Sequence, residues 1–88
     1  MNDNPPPSRF YYVYILTSET NQTRHYTGFT ENLEERLKAH NTGKVPHTAK
    51  YRPWVIECAV AFRSKKKAMD FEAYLKSHSG RAFAKKHF

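Results

Sequence analysis

The sequence predicts an α+β fold, α/β sandwich-like: a three-stranded antiparallel sheet flanked by helices, in the order β-β-α-β-α-α. Three observations carry that expectation. Two short runs rich in Tyr, Val and Ile are joined by a polar link, and strands so closely joined pair antiparallel. A third run is apolar on both of its sides, which suits a central strand covered on both faces. The remaining stretches carry caps and charge orders that suit helices. A chain of 88 residues builds a single core, placed here in one domain over 10–88.

Residues 1–9, with Pro5, Pro6 and Pro7 among polar neighbours, lack any apolar period and read as a disordered N-terminal tail. The first strand is expected from Phe10 to Leu16, with Tyr12, Tyr14 and Leu16 on one side. Thr17 to Thr23 is polar throughout and reads as a turn, and a second strand follows from Arg24 to Phe29. Thr30 is placed to cap a helix from Glu31 to about Asn41. Glu31, Glu34 and Glu35 lie early in it, Lys38 lies late and Gly43 follows its end. Thr42 to Pro53 reads as a loop. The third strand, Trp54 to Phe62, sets Trp54, Ile56, Cys58, Val60 and Phe62 on one face. Ser64 caps a second helix running to about Ser77, and Ser79-Gly80 is expected to separate it from a short basic helix ending at Phe88.

Composition narrows the function classes. Cys58 is the only cysteine, so an internal disulfide is excluded, as is a zinc site built on paired cysteines. The longest apolar run, Phe10 to Leu16, is far too short for a membrane helix and lacks the flanks of a signal peptide. A cytoplasmic protein with no membrane partner is the expectation. The net charge of +7 favours polyanionic partners, with nucleic acid first among them.

Glu72 is the odd residue of the second helix. Ala68, Phe71 and Leu75 form an apolar stripe, and Glu72 stands where a fourth apolar side chain belongs. A carboxylate there is costly to desolvate without a positive partner. One reading is an edge glutamate paired with a nearby lysine. The sharper one is a ligand for a hard divalent cation, which needs only one or two protein carboxylates when waters and phosphate complete its shell. Arg36 and His40, four apart, lie on one helix face beside Leu33 and Leu37. Arg36 has no acidic residue three or four positions away, which favours a phosphate over an ordinary salt bridge within the helix.

Tyr12-Val13-Tyr14 followed by Tyr26-Thr27-Gly28 resembles the paired motifs of the GIY-YIG nucleases. The stretch from Tyr26 to Asn41 is similar to that family's strand-to-helix signature, and the spacing on to Arg36, His40 and a helical Glu72 is similar too. The likeness extends over nearly everything from Phe10 onward and runs to small stand-alone bacterial proteins related to the N-terminal nuclease domain of the repair protein UvrC. It implies a metal-dependent endonuclease that hydrolyses DNA phosphodiester bonds, in repair or processing, leaving a 5′-phosphate and a 3′-hydroxyl. Carried over, Glu72 holds one divalent metal ion, Mg²⁺ or Mn²⁺, and Tyr26 takes a proton from the attacking water. Tyr14 supports it, Arg36 stabilises charge on the phosphate, and His40 lies near the nucleophile. Tyr12 and Thr27 replace a glycine and an isoleucine of the motifs, and Phe29 stands where some relatives carry a lysine.

Lys44, Lys50 and Arg52 in the loop, and Arg81, Lys85 and Lys86 near the end, are the expected contacts to the DNA backbone. With no second domain to choose a site, cutting is expected to be weakly specific or steered by a protein partner. The alternatives are a catalytically silent nucleic-acid-binding module on the same fold, and a basic protein-interaction domain.

Overall fold

The computed structural model describes residues 9–88, so the tail expected over 1–9 lies outside the described residues except for Arg9. Strand β1 (Tyr11–Ser18) forms the middle of an antiparallel sheet between β2 (His25–Thr30) and β3 (Trp54–Phe62). Helices α1 (Leu33–Asn41) and α2 (Pro46–Ala49) connect β2 to β3, and α3 (Lys65–Lys76) and α4 (His78–His87) follow. None of the described helices is long and apolar enough to cross a membrane.

Alternation along β1 divides the core in two. Val13 and Ile15 point to one face, where they bury Ala68 and Leu75 of α3, with Phe29, Cys58, Phe62 and Phe71 packed around them. Tyr14 and Leu16 point to the other face, against Trp54, Tyr26, Leu33 and Leu37. Four consecutive residues of β1, Val13 to Leu16, are therefore buried, as suits the central strand.

The centre expected for β3 falls to β1 instead, and β3 is an edge strand with Val55 and Ile56 exposed. Its expected single apolar face is also broken. Ile15 pairs with Cys58 but Leu16 pairs with Ile56, so Glu57 is an extra residue in the ladder. Such a bulge resets the alternation. Trp54 turns to the Tyr14 face, and Cys58 and Phe62 turn to the α3 face. Ala59 and Ala61, on the face opposite Cys58 and Phe62, are exposed.

Local caps differ from expectation in two places. Asn32, not Thr30, caps α1, its side chain accepting from Glu35 N at 3.0 Å, while the Thr30 hydroxyl accepts from Asn32 N. Ser77, not Ser79-Gly80, separates α3 from α4. Its N–H closes α3 on the Tyr74 carbonyl at 2.9 Å, and its hydroxyl caps α4 by accepting from Gly80 N at 3.1 Å. Gly80 lies inside α4, where a Cβ would overlap the backbone carbonyl of Tyr74, so its role is close helix approach. The expected loop from 42 to 53 contains α2, opened by Pro46 at its first turn.

Candidate active site

The Tyr14 face of the sheet and the inner side of α1 bring four of the sequence-predicted residues together. Tyr14 pairs with Gly28 across the ladder, and Tyr26 pairs with Leu16, so all four residues face α1. Gly28 leaves the space that the Tyr14 ring occupies, since a Cβ there would fall 2.5 Å from Tyr14 Cζ. The motif glycine thus seats the motif tyrosine. From α1, Arg36 Nε donates to the Tyr14 oxygen at 3.4 Å, and His40 Nε2 meets the Tyr14 hydroxyl at 2.9 Å. The Tyr26 ring lies 4.9 Å from the His40 ring and 6.3 Å from that of Tyr14.

Burial and charge shape these groups. Tyr14 is 2% exposed, and burial raises its pKa above 10.0, opposed by the Arg36 hydrogen bond and reinforced by the charges of Tyr26 and Glu72. His40 is completely buried, and burial followed by the nearby Arg36 charge lowers its pKa below 6.5, so the ring is neutral at physiological pH. The hydrogen bond to Tyr14 first, then the surrounding phenols, raises the Arg36 pKa. Its cation is permanent.

Glu72 approaches from α3. α3 packs on the Val13 and Ile15 face of the sheet, and the negative charge of Glu72 is the last of the named influences that raise the Tyr14 pKa. Glu72 touches none of the four through a hydrogen bond. Instead Oε2 pairs with Lys76 Nζ at 3.2 Å, with the Glu72 side chain 22% exposed. The lysine partner weighed from sequence is present, and it is a surface pair that solvent weakens. The described residues contain no cluster of three His, Cys, Asp or Glu side chains for an all-protein metal cage. A carboxylate 22% exposed, with Oε2 on Lys76 and Oε1 without a partner among the described residues, fits a hydrated hard dication whose shell is mostly water and substrate oxygen.

The expected backbone contacts separate into groups. Lys44 lines a cleft with Arg36, Thr30 and Lys38. Arg81 and Lys85 line a larger open groove of about 830 Å³ that also takes in Tyr26, Arg24, His25 and Lys76. Lys50 and Arg52 line neither. The Lys50 ammonium sits over the Tyr51 ring, and Arg52 Nε donates to the Ala49 carbonyl at 2.7 Å. Lys86 is exposed near the end of α4. Phe29 packs on the α3 face, stacked on Tyr11 and turned away from Tyr14.

Three residues that the sequence does not single out hold the site together. Asn41 clamps α1 to β3, donating to the Trp54 carbonyl at 3.0 Å and accepting from Trp54 N at 2.6 Å. The Trp54 indole donates to the Thr48 carbonyl at 2.8 Å, and the Thr48 hydroxyl meets His40 Nδ1 at 2.7 Å. Asn41 directly follows His40 and was available as a signal. Thr48 has no local mark, because its importance comes from where α2 folds.

Fold and side chains together define a basic α+β domain with a tyrosine–arginine cluster suited to an anion. The chain belongs to the GIY-YIG family: the GIY-YIG catalytic domain matches residues 10–86. It is 40% identical over 70 residues to a UPF0213 protein of Staphylococcus haemolyticus, covering 78% of this chain and 83% of that one. The solution structure of the UPF0213 protein BH0048 from Bacillus halodurans is 31% identical. It superposes with a TM-score of 0.53, covering 88% of this chain and 83% of that chain. A structure-specific endonuclease subunit SLX1 homolog of Drosophila mojavensis is 38% identical over 72 residues, which are 72% of this chain but 24% of that protein.

Proposed function

We propose that this protein is a metal-dependent endonuclease that hydrolyses DNA phosphodiester bonds in the cytoplasm. The observation that carries the proposal is the meeting of Tyr14, Tyr26, Arg36 and His40 on one face of the sheet. A guanidinium is suited to the crowded negative charge of a phosphate under attack, and its fixed position costs no rearrangement during reaction. Arg36, tethered to the Tyr14 oxygen, supplies that charge at one phosphate oxygen. Tyr26 is less buried than Tyr14, so it is the phenol assigned to the attacking water. Tyr14 is buried and engaged on both sides, so it orients Arg36 and packs beside Tyr26. Glu72 would hold Mg²⁺ or Mn²⁺, which when bound supplies positive charge to a non-bridging phosphate oxygen.

The groove with Arg81 and Lys85, and the cleft that Lys44 shares with Arg36, offer cations for the DNA backbone. The similarity to a structure-specific endonuclease subunit supports a DNA substrate and a protein partner that directs cutting. A panel of duplex, branched and single-stranded DNA, incubated with Mg²⁺ or Mn²⁺, tests the reading. Nicking by the unmutated protein that is abolished in Glu72→Gln, with DNA binding retained, is the expected result. Absence of metal-dependent nicking on every substrate overturns it. The Lys76–Glu72 pair favours one second reading, a silent DNA-binding module whose carboxylate is already occupied.

A further inference from the structure

A chain of hydrogen bonds runs beneath the cluster, and it starts at Thr48. This residue is 1% exposed, and its hydroxyl has two partners: His40 Nδ1 at 2.7 Å and the Val45 carbonyl at 3.3 Å. In one arrangement the Thr48 proton goes to the Val45 carbonyl, which also accepts from Thr48 N, and the Thr48 oxygen accepts from Nδ1–H. A neutral imidazole has one N–H, which leaves Nε2 bare to accept the Tyr14 proton at 2.9 Å. The Tyr14 oxygen then accepts from Arg36 Nε at 3.4 Å. The opposite tautomer aims both Nε2–H and Arg36 Nε–H at the Tyr14 oxygen and leaves the Tyr14 proton without an acceptor among the described residues. Buried donors without acceptors are costly, which decides between the two arrangements. Thr48 is itself fixed, since the Trp54 indole holds its carbonyl at 2.8 Å.

We propose that Thr48 is a positioning residue that locks His40 in the Nδ1–H tautomer. The lock draws the Tyr14 proton inward and leaves the Tyr14 oxygen free to hold Arg36 toward the phosphate. Its catalytic consequence rests on the nuclease reading, but the tautomer does not.

Long-range ¹⁵N–¹H correlation spectra of the full chain, with His40 assigned by comparison with His40→Gln, read the tautomer directly. Nδ1–H is expected in the unmutated protein, and Nε2–H overturns the proposal whether or not any DNA is cut. Thr48→Val keeps the side-chain shape and removes the hydroxyl. It is expected to shift His40 toward Nε2–H and to lower kcat for nicking about tenfold with KM little changed, the scale of losing an outer support to a working histidine. Thr48→Ser is expected to restore both readouts. A folded Thr48→Val with the original tautomer overturns the lock. If the unmutated protein shows the Nδ1–H form and never nicks DNA, the lock stands and the nuclease reading fails. If Thr48→Val does not fold, the spectra of the unmutated protein and of Thr48→Ser decide, and an Nε2–H signal in either overturns the proposal.

Discussion

At Gly28 the sheet has no room for a side chain, because the Tyr14 ring lies across the position. Gly28→Ala is expected to cost about 1–3 kcal/mol, the usual range for overpacking, in urea-induced unfolding. Its Tyr14–His40 hydrogen bond should weaken with it. His40 gives a pH dependence whose sign is fixed by burial. Its folded pKa lies below the ordinary 6.5, so on acidification the unfolded chain takes up a proton that the folded chain refuses. Stability is therefore full above 6.5 and falls as the pH drops from there through the lowered value. Urea unfolding on both sides of that window, compared with His40→Gln, isolates the contribution. A slope unchanged by the substitution would contradict it. Lys76 is the third residue of consequence, because it competes with any cation for Glu72. Lys76→Met is expected to tighten Mn²⁺ binding severalfold by isothermal calorimetry, and unchanged affinity would show that the pair is irrelevant to the metal.

Two junctions between elements position the site. The side chain of Asn41 bonds both the N–H and the carbonyl of Trp54, tying the end of α1 to the start of β3. Asn41→Ala strands both groups, and the expected loss is about 1–3 kcal/mol in unfolding experiments, typical of buried polar groups left unpaired. At the other end, α3 and α4 share Ser77 as their cap, and Gly80 allows α4 to press on the Tyr74 carbonyl. Backbone cannot yield as a side chain does, so Gly80→Ala should push α4 outward and carry Arg81 and Lys85 away from the groove. Strand order is decided at this level too. An edge strand and a central strand both read as apolar runs, and Glu57, the one residue that marks the bulge in β3, looks like any solvent-facing charge.

Across the whole molecule, the charge of +7 becomes useful only where clefts gather it. About five cations meeting phosphate give log K against log salt a slope of roughly −4 to −5. The double change Arg81→Gln with Lys85→Gln is expected to flatten that slope by about 2, at about 0.9 per phosphate contact. Lys50→Gln with Arg52→Gln should leave it nearly unchanged, because neither residue lines a cleft. Fluorescence anisotropy on labelled DNA over a salt series measures both. Equal effects from the two pairs would mean that binding follows net charge rather than the grooves.

Much of this protein is local in origin. The alternation of β1, the cap at Ser64 and the charge order along α1 are properties of neighbouring residues, and so are legible one stretch at a time. The spacing of Tyr14, Tyr26, Arg36, His40 and Glu72 is legible for the same reason, since each motif sits on a single element. Which strand lies in the middle, where the ladder bulges and which helix ends touch are settled by pairing between distant segments. Thr48 belongs to that second group: nothing beside it in the chain marks it, and only the folding of α2 against α1 brings its hydroxyl to His40. Periodicity reports which side of an element is apolar, whereas the identity of the surface that covers it is a property of the packed whole.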